Sequence, residues 1–358
     1  MSLFLLFLTV MAQAQDRRED EPIKLKADLV TTNAAVFDRD GRLLKSLKAQ
    51  DFIVYEDGVE QKIAHFTATE EPFTLMLLLD ISGSTRDDIA MMKQAAKNFL
   101  AELRRDDRVG VIVFSGDVEM IAEFTDSRDR VEAAISEIAA AAGANGARYS
   151  AKTGTSFYDA LFLAVEESPL KKVEGRKAIV CMSDGVDSTS KMDYRDIARL
   201  VEKSEASIYF LQLNTEEATL AGLLKERGDP GYINFSQSQV NRYYDKYDPE
   251  SPDRHTHRKL LPPLVIREIN AGLYEIARKE MSEMAERTGG RVYPVRSLSD
   301  LSGVYKQVAE DLRHQYSIGY YPTNDAQDGR WRAIRVEVRR RDATVRARAG
   351  YWGPGKRF

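Results

Sequence analysis

The chain contains 358 residues, of which 43% are hydrophobic and 30% are charged, so it is long enough for a full α/β domain and a smaller second unit. Its formal net charge of −4 gives no electrostatic reason to expect a polyanionic partner such as nucleic acid. The single cysteine, Cys181, excludes an intramolecular disulfide, and its apolar neighbours predict a buried core position.

The amino terminus carries the pattern of an export signal. Residues 3–11 are almost entirely apolar, and a small-x-small cleavage motif follows and ends at Ala14. The run is shorter than the about 20 residues that a membrane-spanning helix needs. No Lys or Arg precedes it, which departs from the usual signal peptide, and a buried strand is the alternative. We expect a signal peptide over residues 1–14, a linker over residues 15–22, no other membrane segment, and a periplasmic or secreted protein.

Both ends of the remaining chain have the alternation that is typical of β-strands. In residues 23–70, two acidic turn sequences that end in glycine separate strand-like runs, and the second turn predicts a hairpin. In residues 314–358, Ile334, Val336 and Val338 alternate with charged residues, so one face of that strand is buried. The first segment alone offers too few short strands to form a stable separate core. We expect both segments to pack together into one small β-sandwich.

The middle of the chain, residues 71–313, alternates apolar strands with segments of helical periodicity. Residues 74–79 form a continuous apolar run, as expected of a parallel strand that is buried on both faces. The alternation predicts an α/β domain with a doubly wound, mostly parallel sheet. Residues 214–270 interrupt the pattern with a long polar insertion rich in tyrosine and proline, which is either functional or disordered.

Two of the predicted strands end in an aspartate, Asp80 and Asp184. Ligands of open α/β sheets bind beyond the carboxyl ends of the strands. If the two strands are neighbours, both carboxylates enter one crevice, where they repel each other unless a cation or protons compensate. Ser82 and Ser84 add hydroxyl groups, and Gly83 permits the tight turn that directs them to one point. Such oxygen donors favour Mg²⁺ or Mn²⁺.

The sequence Asp80-x-Ser82-x-Ser84 resembles the metal-ion-dependent adhesion site, or MIDAS, of von Willebrand factor A (VWFA) and integrin I domains. The Gly-Thr-Ser loop at Thr155 and the Ser-Asp-Gly strand end at Asp184 resemble the two other motifs of that site. The resemblance implies that the three hydroxyls contact the metal directly and that the two aspartates contact it directly or through water. It also implies that an Asp or Glu carboxylate of a protein ligand takes the remaining position. The implied cofactor is Mg²⁺, with Mn²⁺ or Ca²⁺ as alternatives.

The flanks resemble those of bacterial exported VWFA-related proteins, of a type common in Acidobacteria. The resemblance rests on DFIVYEDG before the domain, and on QYSIGYYPTN and an arginine-rich β tail after it. It implies an architecture more than a biological role. The leading hypothesis is therefore an exported, metal-dependent protein-binding module for adhesion or assembly. The alternative is a structural component of the cell envelope in which the cation only stabilises the fold.

Enzymatic functions find little support in the sequence. The chain has neither the G-x-x-x-x-G-K-[ST] motif of nucleotide-binding loops nor the G-x-S-x-G motif of acyl-transfer serines. An aspartyl-phosphate phosphatase usually carries a second acid two residues after the first, where this chain has Ser82. A metal-dependent phosphohydrolase is thus the weakest alternative, and we expect no catalytic residues.

The insertion should emerge beside the metal, because the strand before it is expected to run parallel to those that end at the two aspartates. Long loops on a rigid scaffold often carry recognition. The candidate ligand-surface residues are Tyr232, Tyr243, Tyr244 and Tyr247. A local packing cluster is an equal alternative for these tyrosines, and a disordered spacer is the alternative for the whole insertion. His255 and His257 have no third ligand in view and are expected to be solvated.

Overall fold

The computed structural model describes residues 29–68, 72–139, 149–150, 152–173, 175–251 and 261–355. The predicted signal peptide and linker, and the two histidines of the insertion, lie outside these ranges. No helix within them is long and apolar enough to cross a membrane.

The strands, numbered along the chain, are β1 (Val30–Phe37), β2 (Phe52–Glu56), β3 (Val59–Gln61), β4 (Ile63–Ala68), β5 (Phe73–Asp80), β6 (Arg108–Phe114), β7 (Val118–Thr125), β8 (Ile138–Ala139), β9 (Tyr149–Ser150), β10 (Arg176–Ser183), β11 (Ser207–Leu213), β12 (Arg291–Val295), β13 (Tyr316–Tyr320), β14 (Trp331–Val338), β15 (Thr344–Ala347) and β16 (Gly350–Trp352). The α-helices are α1 (Ile89–Glu102), α2 (Arg128–Ser136), α3 (Phe157–Phe162), α4 (Tyr194–Lys203), α5 (Glu216–Leu223), α6 (Gln237–Tyr247), α7 (Pro263–Thr288) and α8 (Leu301–Arg313).

Six strands form the central sheet, in the order β12-β11-β10-β5-β6-β7. All pairs are parallel except the last, in which β7 is an antiparallel edge strand. All eight residues of β5 are buried, because α1, α2 and α8 pack on one face of the sheet and α3, α4 and α7 on the other. Cys181 in β10 is buried as predicted. The predicted doubly wound, mostly parallel sheet is confirmed.

The two terminal segments form a β-sandwich beside the central domain. Its sheets have the orders β15-β1-β13-β4 and β16-β14-β2-β3, so each sheet combines strands from both ends of the chain. Buried apolar side chains of both sheets fill the space between them. The predicted hairpin is present as β2 and β3, with Asp57 and Gly58 at positive φ in its turn. The shared sandwich is therefore confirmed, while the exact domain boundaries stay predictions.

The described part of the insertion is helical. The sequence pattern predicted that the insertion extends to residue 270, but α7 begins within it, at Pro263. Proline fits the first turn of a helix, where its missing N–H has no partner to lose. Ile269 and Leu273 then follow at helical spacing and pack with α5 and α6 in a small core. Residues 263–270 thus belong to α7. We call residues 214–251 and 261–274 the helical cap.

A buried ion pair joins the two ends of the chain inside the sandwich. Glu56 on β2 and Arg332 on β14 are each 2% exposed, with 3.9 Å between Oε1 and Nη1. Tyr320 and Tyr351 donate hydrogen bonds of 2.9 Å to the other carboxylate oxygen of Glu56. Arg332 also pairs with Asp328 at 3.2 Å, whereas the buried Glu56 carboxylate, which is removed from water, depends on Arg332 for compensation of its charge.

We predict that Arg332→Met lowers the free energy of unfolding of the sandwich by about 3–5 kcal/mol, because it leaves the Glu56 carboxylate buried without its cation. Both tryptophans of the chain, Trp331 and Trp352, lie on sandwich strands, so their fluorescence during urea titration measures this unfolding.

The matched control is Arg335→Met on the same strand, since the Arg335 side chain is 59% exposed and pairs with Glu337 at the surface. This change should cost at most about 1 kcal/mol. Equal losses for the two variants would contradict a structural role of the buried pair.

Candidate metal centre

The carboxyl ends of β5 and β10 meet at the centre of the sheet. Asp80 is the last residue of β5, and Asp184 directly follows β10. The two strands pair in parallel with Leu79 opposite Met182, so the next residues, Asp80 and Ser183, leave the sheet side by side. The chain continues from β5 to β6 on one side and reaches β10 on the other, which makes this edge the switch point of strand order. The predicted meeting of the two strand ends is confirmed.

Asp80 is fully buried. Its Oδ1 accepts a hydrogen bond of 2.9 Å from the backbone N–H of Ser82, and its Oδ2 accepts one of 2.6 Å from the hydroxyl of Ser183. Burial, and then the negative charge of Asp184, raise the pKa of Asp80 to about 7, although the hydrogen bonds from Ser183 and Ser82 oppose the shift. The site therefore brings two carboxyl groups close together, and the hydrogen bonds from Ser183 and Ser82 offset only part of the cost.

The two serines after β5 link the aspartates. Their hydroxyl oxygens lie 3.2 Å apart, and Ser84 donates a hydrogen bond of 3.1 Å to Oδ2 of Asp184. The segment is a 3₁₀ turn, Gly83–Asp88, and the hydroxyl of Thr85 donates to the carbonyl oxygen of Asp80 at 2.8 Å. Four of the five predicted site residues thus form one connected hydrogen-bond network.

Asp184 has additional partners that the sequence analysis missed. Its Oδ2 also accepts hydrogen bonds from Thr215, at 2.5 Å, and from Tyr274, at 3.3 Å. Its Oδ1 accepts from the backbone N–H of Val186 at 2.9 Å. Burial raises the pKa of Tyr274 well above its usual value, so this phenol stays protonated and can donate. The position of Thr215 just after β11 was a usable signal, whereas Tyr274 lies within a helix and carried none.

Thr155, the fifth predicted residue, lies on the loop that enters α3 and is 8% exposed. Its backbone N–H donates to the hydroxyl of Ser188 at 2.8 Å, and its carbonyl oxygen accepts from the N–H groups of Ser188 and Thr189 at 2.9 and 3.2 Å. The next N–H, of Ser156, donates to the carbonyl oxygen of Ser115 beyond β6. The Thr155 loop is thereby fixed between the end of β6 and the segment that follows Asp184.

Two glycines permit the close approach of the loops that form the site. Gly154 has φ +102°, and a Cβ there would lie 2.5 Å from Cγ2 of Thr189. Gly185 has φ +77°, and a Cβ there would lie 2.4 Å from the sulfur of Met281 on α7. Both positions therefore exclude a side chain for conformational and for steric reasons.

The donor set suits a hard divalent cation. All candidate donors are oxygen atoms, from the side chains of Asp80, Ser82, Ser84, Thr155 and Asp184. Ser84 uses its proton on Asp184, which leaves the lone pairs of its own oxygen available to a cation. Because hydroxyls make up three of the five donors, the site differs from a cluster of His, Cys, Asp or Glu, and the described ranges contain no cluster of three or more such side chains.

The helical cap touches the site, but one of its four candidate tyrosines is not accessible. Tyr244 is 4% exposed and packs in the core of the cap, so it cannot contact a partner directly. Tyr243 packs against that core and against Tyr247, whose ring centroid is 5.1 Å away. Tyr247 is 39% exposed, and Tyr232 is half-buried. The alternative of a local packing cluster thus describes Tyr243 and Tyr244, while Tyr247 and Tyr232 keep accessible surface.

Fold and site together define an α/β protein with a carboxylate and hydroxyl centre at the carboxyl edge of its parallel sheet. Residues 75–186 match the family model of the von Willebrand factor type A domain. This segment contains all five predicted site residues, so the family resemblance is confirmed for the part of the chain that forms the site. A search of curated protein sequences returned no match.

Solved structures show distant similarity. Conserved hypothetical protein BatB from Bacteroides thetaiotaomicron is 19% identical, and the match covers 67% of this chain and 98% of that chain at a TM-score of 0.42. A von Willebrand factor type A protein from Catenulispora acidiphila is 11% identical, and the match covers 92% of this chain and 74% of that chain at a TM-score of 0.42. Proximal thread matrix protein 1 from the mussel byssus, solved with a zinc-occupied MIDAS motif, is 14% identical. The match covers 68% of this chain and 48% of that chain at a TM-score of 0.41.

We predict that Gly154→Ala lowers the free energy of unfolding by at least about 2 kcal/mol, because the new Cβ combines backbone strain with a collision against Thr189. It should also weaken Mg²⁺ binding, since relief of the collision displaces Thr155. Calorimetric titration with Mg²⁺ and thermal unfolding measure the two effects.

The control is Gly175→Ala, at φ +84° with no atom within 4 Å of the added Cβ. It introduces similar backbone strain, which costs about 1–2 kcal/mol, without a collision and away from the site. If both variants bind Mg²⁺ as the wild type does, the loop contact of Gly154 does not position Thr155.

Proposed function

We propose that this chain is an exported, metal-dependent protein-binding module whose MIDAS cation, Mg²⁺ in the first instance, captures an Asp or Glu carboxylate of a protein partner. The observation that carries the proposal is the pair of buried aspartates, joined through serine hydroxyls at the switch point of the sheet. The proposed metal-binding residues are Asp80, Ser82, Ser84, Thr155 and Asp184.

The cation supplies a positive charge that a partner carboxylate can ligate directly. The residues of the chain prepare this contact in two ways. Asp80 and Asp184 provide the negative charge that attracts the metal, and their own hydrogen bonds fix their orientation before it arrives. The three hydroxyls are neutral donors, so they add no negative charge to that of the two aspartates and do not repel an anionic ligand.

The helical cap is the proposed partner surface beside the cation. Thr215 at its start contacts Asp184, and Ser238 on α6 donates a hydrogen bond of 2.9 Å to the carbonyl oxygen of Ser188, which adjoins Thr155. Tyr232 and Tyr247 are the accessible aromatic side chains among the four candidates, and aromatic residues are favoured at interfaces. A partner that reaches the cation would therefore also contact the cap.

The proposed location outside the cytoplasm rests on the sequence alone. The apolar residues 3–11 and the cleavage motif that ends at Ala14 support export to the periplasm or beyond. A structural envelope component with a fold-stabilising cation is the second candidate, because compensation of two buried carboxylates would stabilise the fold whether or not a ligand binds.

The test compares wild-type chain with Asp80→Asn, each immobilised and exposed to the envelope fraction of the source organism in Mg²⁺ or in EDTA. We expect the wild type to retain specific proteins in Mg²⁺ and to release them in EDTA. Asp80→Asn should retain none, because it removes one of the two charges that hold the metal. Mass spectrometry of the retained proteins, with melting temperatures recorded in parallel, gives the result.

The matched control is Asp107→Asn. Asp107 is as buried as Asp80, at 1% exposure, but it lies at the opposite edge of the sheet and accepts hydrogen bonds from the N–H groups of Phe73 and Arg104. It should retain the same proteins as the wild type in Mg²⁺. Retention that persists in EDTA and in Asp80→Asn would refute metal-dependent capture. A melting shift with Mg²⁺ but no Mg²⁺-dependent retention would favour the structural component.

A further inference from the structure

The carboxylate of Asp184 is held mainly by residues that belong to, or pack against, the helical cap. Thr215, just before α5, and Tyr274, on α7, both donate to its Oδ2. Val186 donates its N–H to Oδ1 and packs its side chain against the apolar core of the cap. Ser84 is the one residue of the serine turn that bonds this carboxylate in the described part of the chain. The position of Asp184 therefore depends on a docked cap.

The hydroxyl of Thr215 bonds the Asp184 carboxylate and does not cap helix α5. Thr215 occupies the residue before the first turn of α5, where a threonine side chain usually accepts a hydrogen bond from the backbone and stabilises the helix. Here the side chain makes no such capping bond, and the hydroxyl donates to Asp184 instead. A residue with a purely local role would cap the helix, so the geometry points to a role at the carboxylate.

A chain of hydroxyls extends this contact into the cap. The phenol oxygen of Tyr274 lies 2.8 Å from the hydroxyl oxygens of both Thr215 and Thr219. Thr215 is 5% exposed and Tyr274 is 4% exposed, so water does not compete for these bonds. Three hydroxyl protons serve these contacts: Thr219 can donate to Tyr274 while Thr215 and Tyr274 donate to Asp184, which leaves the contact between the Thr215 and Tyr274 oxygens without a proton of its own. The network joins α5, α7 and the aspartate in one buried unit.

A second connection runs from α6 to the Thr155 loop. Ser238 donates to the carbonyl oxygen of Ser188, whose hydroxyl accepts the N–H of Thr155. Arg242, also on α6, bonds the phenol of Tyr158 on α3 and pairs with a glutamate of α7. The cap is thus tied to both sides of the candidate cation site.

We propose that Thr215 and Tyr274 are positioning residues for Asp184 and that, through them, occupancy of the cation site stabilises the docked helical cap. The proposal rests on the cation of the proposed function. Such coupling is reciprocal: if the docked cap raises the affinity for the metal, the metal must favour the docked cap by the same factor. A partner surface on the cap would then be more ordered when the cation is present.

The test uses the full chain with Thr215→Val and with Tyr274→Phe, each of which removes one hydroxyl and keeps the shape of the side chain. Each variant should bind Mg²⁺ about 2- to 10-fold more weakly in calorimetric titration, the effect of one net hydrogen bond. Hydrogen exchange should show that Mg²⁺ protects the amides of α5 and α6 in the wild type and protects them less in both variants. Thr215→Ser keeps the hydroxyl donor, so it should keep the Mg²⁺ affinity and the Mg²⁺-dependent protection of the wild type.

The matched control is Tyr194→Phe, which removes a phenol that donates to Glu283 on α7 and makes no contact with Asp184. It should bind Mg²⁺ as the wild type does and keep the Mg²⁺-dependent protection of the cap. Unchanged Mg²⁺ affinity and protection in both Thr215→Val and Tyr274→Phe would overturn this inference while the proposed function stands. A wild-type chain that binds no Mg²⁺ would overturn both.

Discussion

Two carboxylates, on Asp80 and Asp184, lie next to each other at the buried carboxyl edge of the central sheet. Placing two negative charges there is unfavourable, since each loses hydration and each repels the other. The surrounding structure offsets this cost with hydroxyl and backbone N–H donors, yet the pKa of Asp80 still rises to about 7. The remaining imbalance of charge is what a divalent cation would correct. The tight turns, glycines and hydroxyl contacts of the site are understandable as the means to hold these two groups in place.

The packing of the central sheet holds the two carboxylates in place. β5 and β10 are central strands covered by helices on both faces, so their ends cannot shift without disturbing the whole core. The sandwich adds a second rigid unit, and it is attached through Arg346, which pairs with Asp311 on α8, and through Trp352, which donates to Glu202 on α4. These contacts leave the carboxyl edge free of the sandwich strands. The helical cap is the unit that borders that edge.

The extent to which the sequence predicts this structure depends on how local each determinant is. The strand ends at Asp80 and Asp184, and the serines between strand and helix, are visible because strand and turn patterns place them without tertiary information. The sandwich was predictable because alternation in both terminal segments left two apolar faces that needed cover. Thr215 could also have been predicted as a site residue, because it follows a parallel strand at the same edge of the sheet.

Other features depend on contacts that no local pattern encodes. Tyr274 reaches Asp184 only because α7 crosses the sheet edge at that point. The start of α7 at Pro263 lies inside the segment that we interpreted as a polar, proline-rich insertion, although the first turn of a helix tolerates proline. Tyr244 was a candidate for the surface, but helical packing within the cap turns it inward. In each case the deciding partner is far away in sequence.

Anomalous diffraction from crystals of the wild-type chain grown with Mn²⁺ would locate a bound cation directly. We expect one anomalous peak at the carboxyl edge of the sheet, within about 2–2.5 Å of the hydroxyl oxygens of Ser82, Ser84 and Thr155. Asp184 should remain hydrogen-bonded to Thr215 and Tyr274 in that crystal. The absence of a peak at saturating Mn²⁺, or a peak elsewhere with these hydroxyls unliganded, would show that the two aspartates and three hydroxyls do not form a cation site.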